Sequence, residues 1–142
     1  MGDHKFQFRL SCRYRSKKNL VANLVFEHLV DNEWVVYDPA NYAAGFLILL
    51  YAVFNCQHLY FRVNAAERGL QLNLAKGTLE VEANENWEIR KLTIRFDGQL
   101  VAGIPEKDDE KYIVERMAQC PVSVNLKAVP DMQVSIGFSR PS

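Results

Sequence analysis

The sequence predicts an α+β domain in which mainly antiparallel sheet is wrapped around one long buried helix, and three observations predict it. The first is residues 42–61, YAAGFLILLYAVFNCQHLYF, which are apolar on every side until Asn55, Cys56, Gln57 and His58. A helix that is hydrophobic all round needs cover on all sides. The second is a set of period-two alternations before and after this stretch, each the mark of a strand with one buried face. The third is size: 142 residues without repeat, linker or low-complexity tract are one domain's worth of chain, so a single domain over 1–142 is expected.

Taken in order, Phe6, Phe8, Leu10, Cys12 and Tyr14 alternate with Lys5, Gln7, Arg9, Ser11, Arg13 and Arg15 and predict a first strand. After the polar turn 16–19, Leu20, Ala22, Leu24 and Phe26 alternate again, which pairs the two runs as a hairpin. Asp31-Asn32 turns before a short third strand at residues 34–37. Asp38-Pro39 then reads as a helix start, with Asp as N-cap and Pro at the first position, where no N–H is needed. The helix is expected to run to about Arg68, with Gly69 in the left-handed position after it. At helical spacing Gly45, Leu49, Ala52, Cys56, Leu59, Tyr60, Val63 and Ala66 share one stripe, which puts Cys56 against a packed surface. Gly45 inside the helix suggests a close helix contact.

Two further strands follow at residues 78–83 and 87–96, the second with an irregularity at Arg90-Lys91, and Asp97-Gly98 reads as another turn. Residues 106–119 fit an amphipathic helix led by acidic residues, ending at Cys120-Pro121. After another helical turn or two, Met132, Val134, Ile136 and Phe138 alternate as a last strand. One sheet covers only one side of a helix, so the all-round apolar helix in so short a chain predicts a symmetric dimer whose second subunit covers the other side.

Composition narrows the function classes. With 17 basic and 17 acidic residues the formal net charge is zero, so nothing predicts nucleic-acid binding. The run 42–54 covers only about 20 Å, short of a hydrocarbon core of about 30 Å, so a core helix is expected rather than a membrane span. Three irregularly spaced cysteines and no signal-peptide pattern give the expectation of a cytoplasmic, largely reduced protein. His4 and His28 have no ligand spacing with any cysteine or acid, so no metal or other cofactor is expected.

Among the cysteines, Cys12 falls in the apolar register of the first strand and reads as structural. Cys56 taken alone also reads as a buried structural cysteine. Cys120 precedes a proline able to open a helix, where free N–H groups would favour a thiolate; it reads equally as a small cap residue. His58 points away from Cys56 along the helix and reads as a core or interface histidine.

Asn55-Cys56-Gln57 within the apolar helix, the helix end Asn64-Ala65-Ala66-Glu67-Arg68-Gly69-Leu70, and later Cys120-Pro121-Val122-Ser123 together resemble the OsmC/Ohr family, the osmotically inducible and organic hydroperoxide resistance proteins. Both cysteines match in type, spacing and order, and the resemblance spans nearly the whole chain. It implies an intertwined homodimer, two sheets around two central helices, with a site at the subunit interface. It further implies that Cys56 is the nucleophile that reduces an organic hydroperoxide, that Cys120 resolves the resulting sulfenic acid as a disulfide, and that an external thiol restores the pair. Two departures stand out. The carboxylate that relatives carry ahead of the helical cysteine is replaced by Phe46 and Leu47. The arginine that relatives supply from the first hairpin is matched by position alone at Arg15, with Arg13 beside it. The alternative implied by these departures is a non-catalytic member that binds a small apolar ligand or a partner at the interface.

Overall fold

The computed structural model describes residues 3–140; the ends of the expected domain, Met1-Gly2 and Pro141-Ser142, lie outside the described residues. The chain forms β1 (His4–Arg15), β2 (Leu20–Val30), β3 (Glu33–Val36), α1 (Gly45–Glu67), β4 (Gln71–Ala83), β5 (Ile89–Ala102), α2 (Asp109–Met117), a single 3-10 turn (Ser123–Asn125) and β6 (Asp131–Ser139). The six strands make one sheet in the order β3-β2-β1-β4-β5-β6. Four of its pairings are antiparallel, and β6 lies parallel to β5 after the crossover through α2. The expected α+β class and its mainly antiparallel sheet are therefore what the chain adopts.

The alternation in β1 does what a half-buried strand requires: Phe8, Leu10, Cys12 and Tyr14 point into the core while Arg9, Ser11, Arg13 and Arg15 point away. The 16–19 turn leads into β2 as a hairpin, with Ser16 and Asn19 at positive φ. Asn19 ties that turn to the rest of the fold. Its buried amide donates to the carbonyls of Arg62 and Leu70, each at 3.0 Å, and its Oδ1 accepts from the Leu72 N–H at 2.8 Å. The β1–β2 hairpin is thus pinned to the end of α1 and the start of β4.

Against the inner face of the sheet, α1 packs Leu50, Val53, Phe54, Phe61 and Ala65, all with no measurable exposure. Phe54 and Phe61 stack on Phe96 of β5, with centroids 5.7 and 5.0 Å apart. Room for Phe96 is made across the sheet at Gly77, its register partner: a Cβ there would stand 2.5 Å from the ring. The helix ends where expected, with Gly69 at φ +76° and the Leu70 N–H bonded to the Ala65 carbonyl at 2.9 Å. The Arg68 guanidinium then meets buried Asp109 at 2.8 Å, joining the end of α1 to the start of α2.

Several expectations are corrected. The helix starts at Gly45, not Pro39. Asp38 spends its capping capacity on a separate turn, its carboxylate accepting from Ala40 N–H and the Asn41 amide while its carbonyl accepts from Tyr42 N–H. Gly45 is consequently the first helical residue, and nothing comes within 4 Å of where its Cβ would be, so no close helix contact accounts for it. β4 begins at Gln71, not at the expected Thr78; irregularities on either side of Leu72 move the buried set from Leu72 to Ala75 and break the period there. Gly98 lies inside β5, not in a turn; its missing side chain accommodates Leu72 and Phe61. The irregularity at Arg90-Lys91 is present, since Ala83 pairs with Ile89 but Glu82 with Lys91.

One sheet covers one side of the central helix, as expected, and the stripe expected to set Cys56 against a packed surface is the uncovered one in the single chain: Leu49 is 38%, Leu59 41% and Val63 37% exposed, with Ile48 nearby at 40%. By length and composition α1 could cross a membrane, and a third of its most apolar stretch is buried in the chain. Its buried polar residues are His58, which meets Tyr14 of β1, and Gln57 and Asn64, whose partners are Met117, Ser123 and Arg116 in and after α2.

Candidate redox site

Cys56 lies midway along α1 on the uncovered stripe, between Ala52 and Leu59, and is half-buried. Cys120 is fully buried in the connection after α2. The two sulfurs form a disulfide across 64 residues of sequence, with Cα atoms 6.5 Å apart, within the ordinary range for such a bridge. The structure therefore brings together the two cysteines that the sequence singled out, one reachable from solvent and the other not. Cys12 stays apart as a free buried thiol, and burial pushes its pKa up, consistent with its structural reading.

The approach of Cys120 to α1 follows from the local chain. α2 closes through Ala118 and Gln119, and the Cys120 N–H donates to the Met117 carbonyl at 3.1 Å. Pro121 and Val122 then turn into the 3-10 segment, where Val124 N–H donates to the Cys120 carbonyl at 3.0 Å. This corrects the expectation of a helix beginning at Pro121. A single three-residue 3-10 turn follows, too short to give Cys120 the dipole of a helix N-terminus.

Next to Cys56, Gln57 is fully buried, and its amide donates to the Met117 carbonyl at 2.8 Å and to Ser123 Oγ at 2.7 Å. These acceptors lie three residues before and three after Cys120. Gln57 also lines a pocket of about 390 Å³ with Val114, Ala118, Ser123, Met132 and Val134. Its role was not legible in the sequence, where Gln57 figures only beside Cys56 in the stretch that carries the family resemblance. The available signal was a polar side chain in an otherwise apolar helix.

The remaining candidates sort by face. Arg15 is exposed at the end of β1 and alternates onto the side of the sheet opposite Tyr14, whose hydroxyl reaches α1; the chain does not bring Arg15 to Cys56. Arg116 of α2, not singled out beforehand, lines a shallow pocket of about 260 Å³ with Leu59, Tyr60, Val63, Asn64 and Glu67, just beyond Cys56 on the same stripe. Phe46 sits between Phe6 and Trp87, at centroid distances of 5.1 and 5.3 Å, so the position where relatives carry a carboxylate belongs here to an aromatic cluster. His58 is buried 2.7 Å from Tyr14 Oη and, as expected, faces the core. Burial, and secondarily the nearby Arg62 charge, pushes its pKa down to about 3, so its ring is neutral. Among the described residues there is no group of three or more His, Cys, Asp or Glu side chains able to hold a metal.

Comparison by sequence finds neither a matching family model nor a matching curated protein. Comparison of structures finds several likenesses. An OsmC-like protein from Mycoplasma pneumoniae superposes with a TM-score of 0.53 at 12% identity, over 83% of this chain and 89% of that one. An OsmC-like hydroperoxide resistance protein from Jannaschia sp. CCS1 gives 0.52 at 13% identity, over 86% of each chain. An OsmC-like protein of unknown function from Vibrio cholerae gives 0.51 at 10% identity, over 90% and 96%. The sheet packed on one long central helix is accordingly an OsmC-like fold.

Proposed function

We propose that the chain is a thiol-dependent peroxidase that reduces organic hydroperoxides through Cys56 and Cys120. The observation that carries this reading is the Cys56–Cys120 disulfide, which joins a half-exposed cysteine to a fully buried one. In the cycle the Cys56 thiolate attacks the distal peroxide oxygen, the O–O bond breaks, and the alkoxide leaves and takes a proton to become the alcohol. Cys56 is now a sulfenic acid. The Cys120 thiol displaces its hydroxyl group, giving the disulfide and one water. Two external thiols then return both cysteines to the reduced form and are themselves oxidised to a disulfide. The greater exposure of Cys56 in the single chain supports it as the nucleophile, which a peroxide must reach, and Cys120 as the resolving thiol, which needs to reach only its partner.

The apolar stripe around Cys56 favours a greasy peroxide and also favours the homodimer, in which a second α1 would cover Leu49, Leu59 and Val63. A cytoplasmic setting supplies the thiol reductant the cycle requires. One observation favours the second reading, a non-catalytic protein that binds a small apolar ligand or partner: neither a carboxylate at residues 46 and 47 nor Arg15 stands beside the thiol. Consumption of cumene hydroperoxide with a dithiol reductant separates the two. Turnover in wild type that vanishes in Cys56→Ser supports the peroxidase; equally negligible rates in both end it.

A further inference from the structure

We infer that Gln57 is a positioning residue that holds Cys120 against Cys56 whether or not the disulfide is formed; the inference rests on the peroxidase reading for its catalytic meaning. The geometry is a second, non-covalent bridge parallel to the sulfur bridge. Gln57 follows Cys56 directly on a regular helix, so its backbone is fixed relative to the nucleophile. Its amide nitrogen reaches the Met117 carbonyl at 2.8 Å, and the same carbonyl accepts from the Cys120 N–H at 3.1 Å. One oxygen therefore joins the side chain beside Cys56 to the backbone of Cys120. The second amide hydrogen goes to Ser123 Oγ at 2.7 Å, beyond Cys120. The segment is clamped on both sides of the resolving cysteine.

None of these contacts involves sulfur, so reduction of the disulfide leaves them in place. The amide is fully buried, where losing its hydrogen bonds would strand polar groups away from water, so the clamp resists opening. Cys120 accordingly stays within bonding range of Cys56 in the thiol and sulfenic acid states, and closing the disulfide needs no rearrangement of the backbone. Intramolecular reactions gain rate from this kind of pre-organisation. The cost is visible too: Gln57 Oε1 is buried without a partner. An apolar residue would avoid that cost, so retaining an amide beside the nucleophile is accounted for by its two donated bonds.

The test uses Gln57→Met, which keeps length, volume and helix propensity but cannot donate; Met117 O retains its bond from Cys120, so the local turn survives. The first readout is the equilibrium of the Cys56–Cys120 pair with reduced and oxidised glutathione, which requires no peroxide chemistry. Loss of the clamp should move that equilibrium roughly tenfold toward the dithiol, on the scale of one or two buried hydrogen bonds. The second is the lifetime of the Cys56 sulfenic acid after one equivalent of cumene hydroperoxide, trapped with dimedone; it should lengthen by a similar factor, while the rate of its formation stays unchanged. An equilibrium and a lifetime both within twofold of wild type overturn the inference. Should Gln57→Met fail to fold, Ser123→Ala is read the same way: a shift toward the dithiol supports the clamp, and an unmoved equilibrium overturns it. If wild type does not react with the peroxide, the peroxidase reading fails, while the glutathione equilibrium still decides the role of Gln57.

Discussion

Tyr14 Oη and His58 Nε2 lie 2.7 Å apart in the core, one on the first strand and the other two residues beyond Cys56 on the helix. The burial of His58 beside Tyr14 makes the fold sensitive to acid. With its pKa pushed down to about 3, mainly by burial, His58 stays neutral in the folded chain over a range where it is protonated in the unfolded chain. Between pH 6.5 and 3 the unfolded state therefore binds the extra proton, and stability falls as the pH falls. The loss amounts to roughly 3–5 kcal/mol by pH 3 and levels off below it. Urea unfolding from pH 7 to 3.5 should show that slope in wild type. The double variant Tyr14→Phe/His58→Leu, which leaves neither partner stranded, should be shallower by nearly one proton. Equal slopes would show that His58 does not carry the effect.

Asn19 provides a separate test of how the hairpin is anchored. It combines a positive φ of 54° with three side-chain hydrogen bonds that reach α1 and β4. Asn19→Ala loses all three and places a Cβ-bearing residue without a compensating side-chain bond in the left-handed region. The expected destabilisation is about 3–4 kcal/mol. Asn19→Gly loses the same bonds but tolerates the backbone, so it should be less destabilised by about 1 kcal/mol. Chemical denaturation midpoints of the three proteins check the order.

Much of this fold could be read from the chain because its strands have one buried face. Phe8, Leu10, Cys12 and Tyr14 alternate without interruption, and β1 follows directly from them. The features that escaped are those in which a side chain takes over a backbone task or a bulge resets the period. Asp38 looked like a helix cap because the same carboxylate that caps a helix also closes a turn, and only the contact with Ala40 and Asn41 distinguishes the two. β4 lost its first residues because the buried set shifts phase between Leu72 and Ala75. At the site, the two cysteines were legible through the family resemblance. Gln57 was not, because its meaning depends on Met117 and Ser123, which are 60 and 66 residues away.

The uncovered face of α1 yields a prediction about assembly. Leu59 is 41% exposed in the single chain and makes no part of the buried core. In a monomer, Leu59→Glu on an exposed helix face would alter stability by at most about 0.5 kcal/mol. In the proposed dimer it buries two unpaired carboxylates at a symmetric contact, a penalty of several kcal/mol. Sedimentation equilibrium should show wild type as a dimer and Leu59→Glu shifted to monomer, with the far-ultraviolet spectrum preserved. A wild-type monomer, or a variant that associates as well as wild type, would remove the argument that a second α1 covers this stripe.

The two cysteines should fail in different ways when removed singly. In Cys120→Ser the half-exposed nucleophile remains, but no thiol stands behind it to displace the sulfenic hydroxyl. One equivalent of hydroperoxide should be consumed per chain, and Cys56 should accumulate as a sulfenic acid that dimedone traps quantitatively; excess peroxide should drive it on to the sulfinic acid. Wild type under the same conditions should give the Cys56–Cys120 disulfide and little adduct. Cys56→Ser should consume no peroxide, because Cys120 is fully buried and out of reach. Mass spectrometry of the three proteins after a single addition of cumene hydroperoxide reads all of these states. The assignment of roles would be reversed if the dimedone adduct appeared on Cys120 in Cys56→Ser while Cys120→Ser stayed unmodified.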